Sequence, residues 1–216
     1  MSDHNHISRP DWAHPKFSDV SIRELKSAMV KQPLVWLNGL NSQALDFTLI
    51  PVRVGFGSGA DRLQIYGHFA RRNPLAEALL SNAHAVILWR AENGYMSPTS
   101  LSDRTQAPTW LYASARFSVK VRLYGDQHSV NKELQQIVSD MERHHSGNWA
   151  TSEMGARYDK LARGVIAFEA DIVDLQIKFK LAQDERSDVR SDLERALSVD
   201  HPELAKLVQK HNQEIF

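Results

Sequence analysis

Two hydrophobic periods run along this chain, and the switches between them mark its elements. Apolar residues three or four apart predict helices; strict alternation and short apolar runs predict strands. Ile22, Leu25, Met29 and Val30 recur at helical spacing, so residues 19–31 read as a helix capped by Ser18 or Ser21 and ended by Pro33. Leu34-Val-Trp-Leu37 is a short apolar strand stopped by Asn38-Gly39. Residues 45–54 form a second strand, apolar enough to be expected under cover on both faces. Pro51 leaves a gap in its ladder, so an edge or bulge is expected there. In residues 62–69, Leu63, Ile65, Gly67 and Phe69 alternate with Gln64, Tyr66 and His68. The chain then turns through Ala70-Arg71-Arg72-Asn73 into a short helix marked by Leu75, Leu79 and Leu80. Asn73 suits its N-cap and Pro74 its first position, where no donor is needed.

Gly55-Phe-Gly-Ser-Gly59 lacks the Gly-x-Gly-x-x-Gly spacing and precedes a strand, so it reads as a hairpin loop. Residues 84–89 are an apolar strand. Residues 92–107, with Asn93-Gly94 and Ser97-Pro98, read as a long turn-rich connection. Residues 108–112 enter another strand. From 116 to 124, Phe117, Val119, Val121 and Leu123 face one way and Arg116, Ser118, Lys120 and Arg122 the other. Val130, Leu134, Ile137, Val138 and Met141 share one face of a helix ending near His144-His145-Ser-Gly147, and residues 158–163 suit a short helix.

Residues 164–181 are the last long strand. Its apolar phase runs Ile166, Phe168, Ala170, Ile172 and then slips to Val173, Leu175, Ile177, Phe179, which predicts a bulge near Ile172-Val173. Glu169 and Asp171 lie on the polar face before the slip, and pairing with the basic face of strand 116–124 is preferred over a catalytic carboxylate pair. Two helices close the chain, one marked by Val189, Leu193, Ala196 and Leu197, the other by Leu204, Leu207 and Val208 with Asp200 and Glu203 as a capping box. The sum is a mainly β protein with peripheral helices: six or seven hairpin-linked strands in an antiparallel sheet or closed barrel. An irregular arm is expected over 1–17, the barrel domain over 18–198 and a C-terminal helix over 199–216.

Composition narrows the function. The 26 basic and 26 acidic side chains cancel, which weakens any reading built on attraction to nucleic acid or an acidic membrane. The absence of cysteine excludes disulfides, thiolate catalysis and cysteine-type zinc sites. No apolar run approaches the roughly 20 residues of a membrane span, and the polar N-terminus is unlike a signal peptide, so a cytoplasmic protein is expected. His4 and His6 read as part of a mobile terminus, and His144-His145 as an answer to a helix dipole, rather than as metal ligands.

No His-Glu-x-x-His, Gly-x-Ser-x-Gly, P-loop or EF-hand occurs. The polar residues that stand out lie at strand ends in three places: His68 with Arg71 and Asn73, Thr109 with Trp110 and Tyr112, and Lys180 with Gln183. Together they offer cations for a phosphate, aromatic surface for stacking, and amides and hydroxyls to orient a polar ring, as a nucleotide-like cofactor needs. Arg71 and Arg72, between a strand and a helix N-terminus, suit an anion or are simply solvated turn residues.

Four segments carry a resemblance. Gly67-His-Phe-Ala-Arg-Arg-Asn-Pro74, Tyr95-Met-Ser-Pro98, Pro108-Thr-Trp-Leu-Tyr112 and Phe179-Lys-Leu-Ala-Gln-Asp184 follow, in order and spacing, motifs of the PaiB-like FMN-binding proteins, often named negative transcriptional regulators. The chain resembles that family from about Phe17 to Leu197. The resemblance implies a dimeric split β-barrel within the flavin-reductase-like group, with FMN near the subunit interface and NAD(P)H as a transient electron donor. It places His68, Ala70, Arg71 and Asn73 on a cofactor wall and adds Thr109, Trp110, Lys180 and Gln183. The chain departs from the pattern at Leu49, where the family has histidine, and at Leu111, Ala182 and Asp184, where it has Asn, Ser and Asn. Loss of polar partners points to weakened flavin affinity or an altered ligand. Three readings follow: a flavin-linked reductase, a transcriptional regulator, or a barrel without flavin serving as an interaction module. No helix-turn-helix with a basic face supports the second, and no acid or base stands out beyond Tyr112 and His68.

Overall fold

The computed structural model describes residues 6–7, 15–40, 47–56, 63–143, 145–147 and 149–214. Among them are strands β1 (His6–Ile7), β2 (Leu34–Gly39), β3 (Thr48–Phe56), β4 (Leu63–Ala70), β5 (His84–Met96), β6 (Thr109–Tyr124) and β7 (Val165–Lys180). The helices are α1 (Ile22–Lys31), α2 (Leu75–Ser81), α3 (Gln127–Glu142), α4 (Ala156–Ala162), α5 (Ser187–Asp200) and α6 (Pro202–Glu214). The strand order is β1-β7-β4-β3-β2-β5-β6, and β7 also pairs with β6. That second pairing closes six strands into an antiparallel barrel with peripheral helices. The expectations for His4 and His144, and for most of the 1–17 arm, lie outside the described residues. None of the described helices is long and apolar enough to cross a membrane.

The chain divides into two compact units: the described parts of Met1–His6, Pro33–Leu88 and Phe117–Asp174, and those of Ile7–Gln32, Trp89–Arg116 and Leu175–Phe216. In the first, β3 pairs antiparallel with β2 and β4, and β4 with β7 in the register Gly67↔Phe168. Alternation puts Ile50, Val52 and Val54, Leu63, Ile65 and Phe69, and Ile166, Phe168 and Ala170 into one core. Phe69 and Phe168 meet there with ring centroids 6.0 Å apart. Helix α3 is capped by Asp126, whose carboxylate accepts the Ser129 N–H at 2.9 Å.

In the second unit, Leu25 and Met29 of α1, Trp89, Leu111, Phe179 and the α5 and α6 stripes (Leu193, Leu197, Leu204, Val208) are buried. Ser21 caps α1 by accepting the Glu24 N–H at 3.1 Å. Trp89 Nε1 donates to the Gln32 carbonyl at 2.7 Å and fixes the end of α1.

Several local expectations are corrected. Residues 92–96 are not a connection but the continuation of β5. Gly94 is needed there because a Cβ would come within 2.9 Å of the His201 ring and 3.1 Å of Leu204. Strand β3 is not covered on both faces: Leu49 is 46% exposed, paired with the exposed Trp36. Nor is β3 an edge; Pro51 sits opposite Leu34, and the pairing with β4 runs from Val52 to Phe56. Asp200 ends α5 instead of capping α6, whose first residue is Pro202, and Glu203 turns to Lys206 at 2.6 Å. In β7 the buried phase changes after Ile172 to Leu175, Ile177 and Phe179, but Val173, expected to open that phase, is exposed. Arg122 reaches both Glu169 (3.3 Å) and Asp171 (3.0 Å), so this carboxylate pair is an ion-paired face of the sheet.

Candidate functional site

The predicted residues fall into two groups, one in each unit. In the first, alternation along β4 sends Gln64, Tyr66 and His68 to the face opposite Gly67 and Phe69. His68 is half-buried, and its Nδ1 is enclosed without a hydrogen-bond partner among the described residues. Burial lowers its pKa, so the imidazole is held neutral with one ring nitrogen unspent. Ala70 is exposed at the strand end. Helix α2 begins one residue later than expected, with Pro74 at its N-cap, and Asn73 stands just before it: its Oδ1 accepts the Leu75 N–H at 2.9 Å, and its Nδ2 donates to Thr48 Oγ1 at 3.1 Å.

Arg71 is occupied with its own fold. Its Nε donates to the Arg163 carbonyl at 3.2 Å, and one terminal nitrogen donates to the Gly125 and Val165 carbonyls at 2.9 and 3.1 Å. The backbone N–H adds a bond to the Gly164 carbonyl at 2.8 Å. The guanidinium therefore ties the end of β4 to the end of β6 and the start of β7. Arg71→Ala is expected to lower the stability of flavin-free protein by about 1–3 kcal/mol, because three carbonyls lose a charged donor. A urea midpoint equal to that of the wild type would show these bonds to be idle.

The second group lies at the start of β6 and around the end of β7. Trp110 is 54% exposed and meets the exposed Tyr95 ring at 5.8 Å and 57°. Lys180 Nζ donates to Thr109 Oγ1 at 2.5 Å, and the Lys178 ammonium stands 5.6 Å from the Tyr112 ring centroid. Aromatic faces and ammonium groups are thus side by side, an arrangement suited to a flat, anionic ligand. Gln183 is different: it is buried and both ends of its amide are bonded to the protein.

Sequence reading missed a polar network under α3. Arg53 Nη2 meets Glu133 at 2.5 Å, and the guanidinium lies 5.1 Å over the Tyr66 ring. Tyr66 Oη donates to Gln64, whose amide donates to Asp171, and Tyr124 Oη donates to Glu169. Burial pushes the Tyr66 phenol up, helped by the Glu169 charge. A cavity of about 250 Å³ is lined by Arg53, Tyr66, Tyr124, Glu133 and Glu169 with Ser129 and Lys132. The available signal was a lone charge, Arg53, on an otherwise apolar strand; nothing local named its partner eighty residues on.

A family profile described as "Putative FMN-binding domain" matches residues 12–174. The chain belongs to that family. The matched region holds His68, Ala70, Arg71, Asn73, Thr109 and Trp110, and ends before Lys180 and Gln183. A protein of Emericella nidulans described as uncharacterized is 27% identical over 186 residues, covering 72% of this chain and 73% of that one. The FAD and heme binding protein from Mycobacterium smegmatis is similar in structure (TM-score 0.57, 17% identity, 81% of this chain, 78% of that one). So is the flavocytochrome Anf3 from Azotobacter vinelandii (TM-score 0.52, 13% identity, 74% and 67%). At these identities the structural likeness is one of fold, the split barrel. The family match supports a flavin cofactor for this chain.

The residues present fit such a group in part. The exposed Trp110, the half-buried Lys180 and the unspent His68 nitrogen are available to it, whereas Arg71 and Gln183 are engaged in holding the protein together.

Proposed function

We propose that this FMN-binding family member is a PaiB-like flavoprotein that binds FMN and passes electrons from NAD(P)H to a small acceptor. The observation that carries the reading is the exposed Trp110 against the exposed Tyr95 ring, on a strand whose first residue, Thr109, accepts from Lys180. Within the second unit, Trp110 would cover the isoalloxazine and Lys180 would answer the phosphate. The cofactor-binding role proposed for His68 rests separately on its unspent nitrogen. When bound, the flavin supplies the two-electron chemistry; the protein binds it, orients it and excludes water. The cofactor-binding role of Ala70, through its backbone, and of Asn73 and Thr109 belongs to the same proposal. Arg71 and Gln183 are proposed to act at one remove, by shaping the strand ends.

The protein is further proposed to work as a homodimer with the cofactor near the subunit interface. Leu34, Trp36 and Leu49 support this: they stand exposed on one face of β2 and β3, a surface that water solvates poorly.

Titration of the purified protein with FMN, FAD and riboflavin, read by flavin absorption and fluorescence, tests the reading. Saturable binding of one FMN per chain is expected, with weaker binding of riboflavin. Trp110→Ala and Lys180→Met should each weaken FMN by about tenfold, the worth of one ring contact or charge-assisted bond. Flavin spectra unchanged by the wild-type protein would sink the proposal and leave a binding module without flavin. Wild-type affinity in both variants would move the site elsewhere.

A further inference from the structure

The turn after β7 is built around one amide. Gln183 Oε1 accepts the Leu181 N–H at 2.6 Å, and Nε2 donates to the Phe179 carbonyl at 2.5 Å. These partners settle the orientation of the amide, since its oxygen must face the N–H and its nitrogen the carbonyl. Nε2 also lies 3.3 Å from the Lys16 carbonyl and 3.2 Å from His211 Nε2. The two Nε2 hydrogens have three acceptors in reach, the Phe179 and Lys16 carbonyls and His211, and one can go to His211 Nε2 when that nitrogen carries a lone pair. The imidazole proton is then on Nδ1, 2.6 Å from Glu24 Oε1. Next to His211, Asn212 Nδ2 donates to the Leu181 carbonyl at 3.3 Å. Within this clasp Ala182 holds φ at 63°, a region that side chains other than glycine rarely adopt.

His211 is 1% exposed, and each element around it has a defined role. Helix α1 presents Glu24, and β7 presents the Phe179 ring at 5.9 Å. The 3-10 turn Pro15–Ser18 presents a carbonyl, that of Lys16, to Gln183. On α6, Lys210 turns to Ser27 Oγ at 3.3 Å. The far side of Glu24 borders a cleft also lined by Lys31, Glu92, Glu203, Lys206 and Lys210.

We infer that neutral His211 is the latch of the Leu181–Gln183 turn, and that its protonation opens the turn that carries Lys180 to Thr109. A proton on Nε2 sets N–H against N–H. That buried imidazole N–H gains an acceptor only if Gln183 withdraws or flips, and a flip sets the amide oxygen against the Phe179 carbonyl and its nitrogen against the Leu181 N–H. His211 is thus a positioning residue, fed by the C-terminal helix. Its consequence for a flavin rests on the reading of Lys180 above; the latch itself does not.

The test uses the full chain without flavin. Nuclear magnetic resonance follows the His211 imidazole, the Gln183 side-chain amide and hydrogen exchange at the Leu181 N–H through an acid titration. Protection of Leu181, corrected for intrinsic exchange, is expected to fall by about tenfold, the factor for one lost buried hydrogen bond, with the midpoint of His211. His211→Gln keeps an acceptor near the Nε2 position and takes up no proton there, so protection should persist and lose its pH dependence. His211→Asn keeps a donor toward Glu24 but not the acceptor, so Leu181 should already exchange fast at neutral pH. Leu181 protection that stays flat while His211 titrates overturns the latch, as does a His211 that never titrates before the protein unfolds. Repeating the titration with FMN separates the two readings: a turn that opens with no loss of FMN affinity upholds the latch and removes Lys180 from the cofactor site.

Discussion

Glu133→Ala is expected to cost about 3 kcal/mol of stability, the low end of the range for removing one partner of a buried ion pair. Glu133 is 6% exposed and Arg53 18%, so the arginine left behind keeps a little access to water. Arg53 would lose bonds from Nε (3.2 Å) and Nη2 to the same carboxylate, and the nearest other carboxylate, Asp140, stands 3.9 Å away. The loss falls on the seam between α3 and the outer face of the sheet, because Arg53 also lies over the Tyr66 ring of β4. Desolvation pushes the Glu133 carboxyl upward against the pull of Arg53, which marks the pair as costly to bury. The double variant Arg53→Met with Glu133→Leu should therefore recover most of the loss, since two apolar groups leave no uncompensated charge. Urea unfolding followed by circular dichroism measures both. A Glu133→Ala protein within about 0.5 kcal/mol of wild type would mean that the pair is screened as a surface pair is.

Gly67→Ala should be the most damaging single-methyl change in the barrel. A Cβ on Gly67 would lie 2.8 Å from two atoms of the Phe168 ring and 3.3 Å from the Pro51 carbonyl oxygen. Phe168 cannot swing away, being buried and already against Phe69. Overpacking of this kind costs about 1–3 kcal/mol, and Gly67→Val should exceed it. In a chain of this length that is a drop of several degrees in Tm, at about 2–4 °C per kcal/mol. A paired Phe168→Leu substitution is expected to relieve the alanine variant, because it removes the ring the methyl strikes. An unshifted Tm for Gly67→Ala would show that the Gly67–Phe168 approach is slack.

This glycine lies in the most recognisable stretch of the chain, so the motif joins two needs. Gly67 lets β4 approach Phe168, and the next residue, His68, turns an unspent nitrogen to the other face. A motif read for its chemistry is also a packing constraint, and variants of it must be measured for stability before any change in ligand affinity is interpreted.

What the sequence determined by itself is whatever depends on neighbours one to four residues away. The period of two fixed the faces of β4, β6 and β7, the slip after Ile172, and the basic face that Arg122 turns to Glu169 and Asp171. The period of 3.6 located α1, α3, α5 and α6, and short-range capping chose Ser21 for α1. The motif segments pointed to the FMN-binding family.

Tertiary structure decided the partners. Asn93-Gly94 reads locally as a turn, yet β5 runs through it because α6 packs on the space a side chain would fill. Apolar β3 was expected under cover, yet its face at Leu49, paired with Trp36, is exposed. Arg71 and Gln183 have the chemistry of ligand-binding groups, but carbonyls and amides from distant segments claim them first. Local sequence states which donors and acceptors a residue carries. Only the closed sheet and its docked helices bring up the groups from far along the chain that satisfy them, and a buried polar group left without a partner costs too much for that pairing to be left to chance.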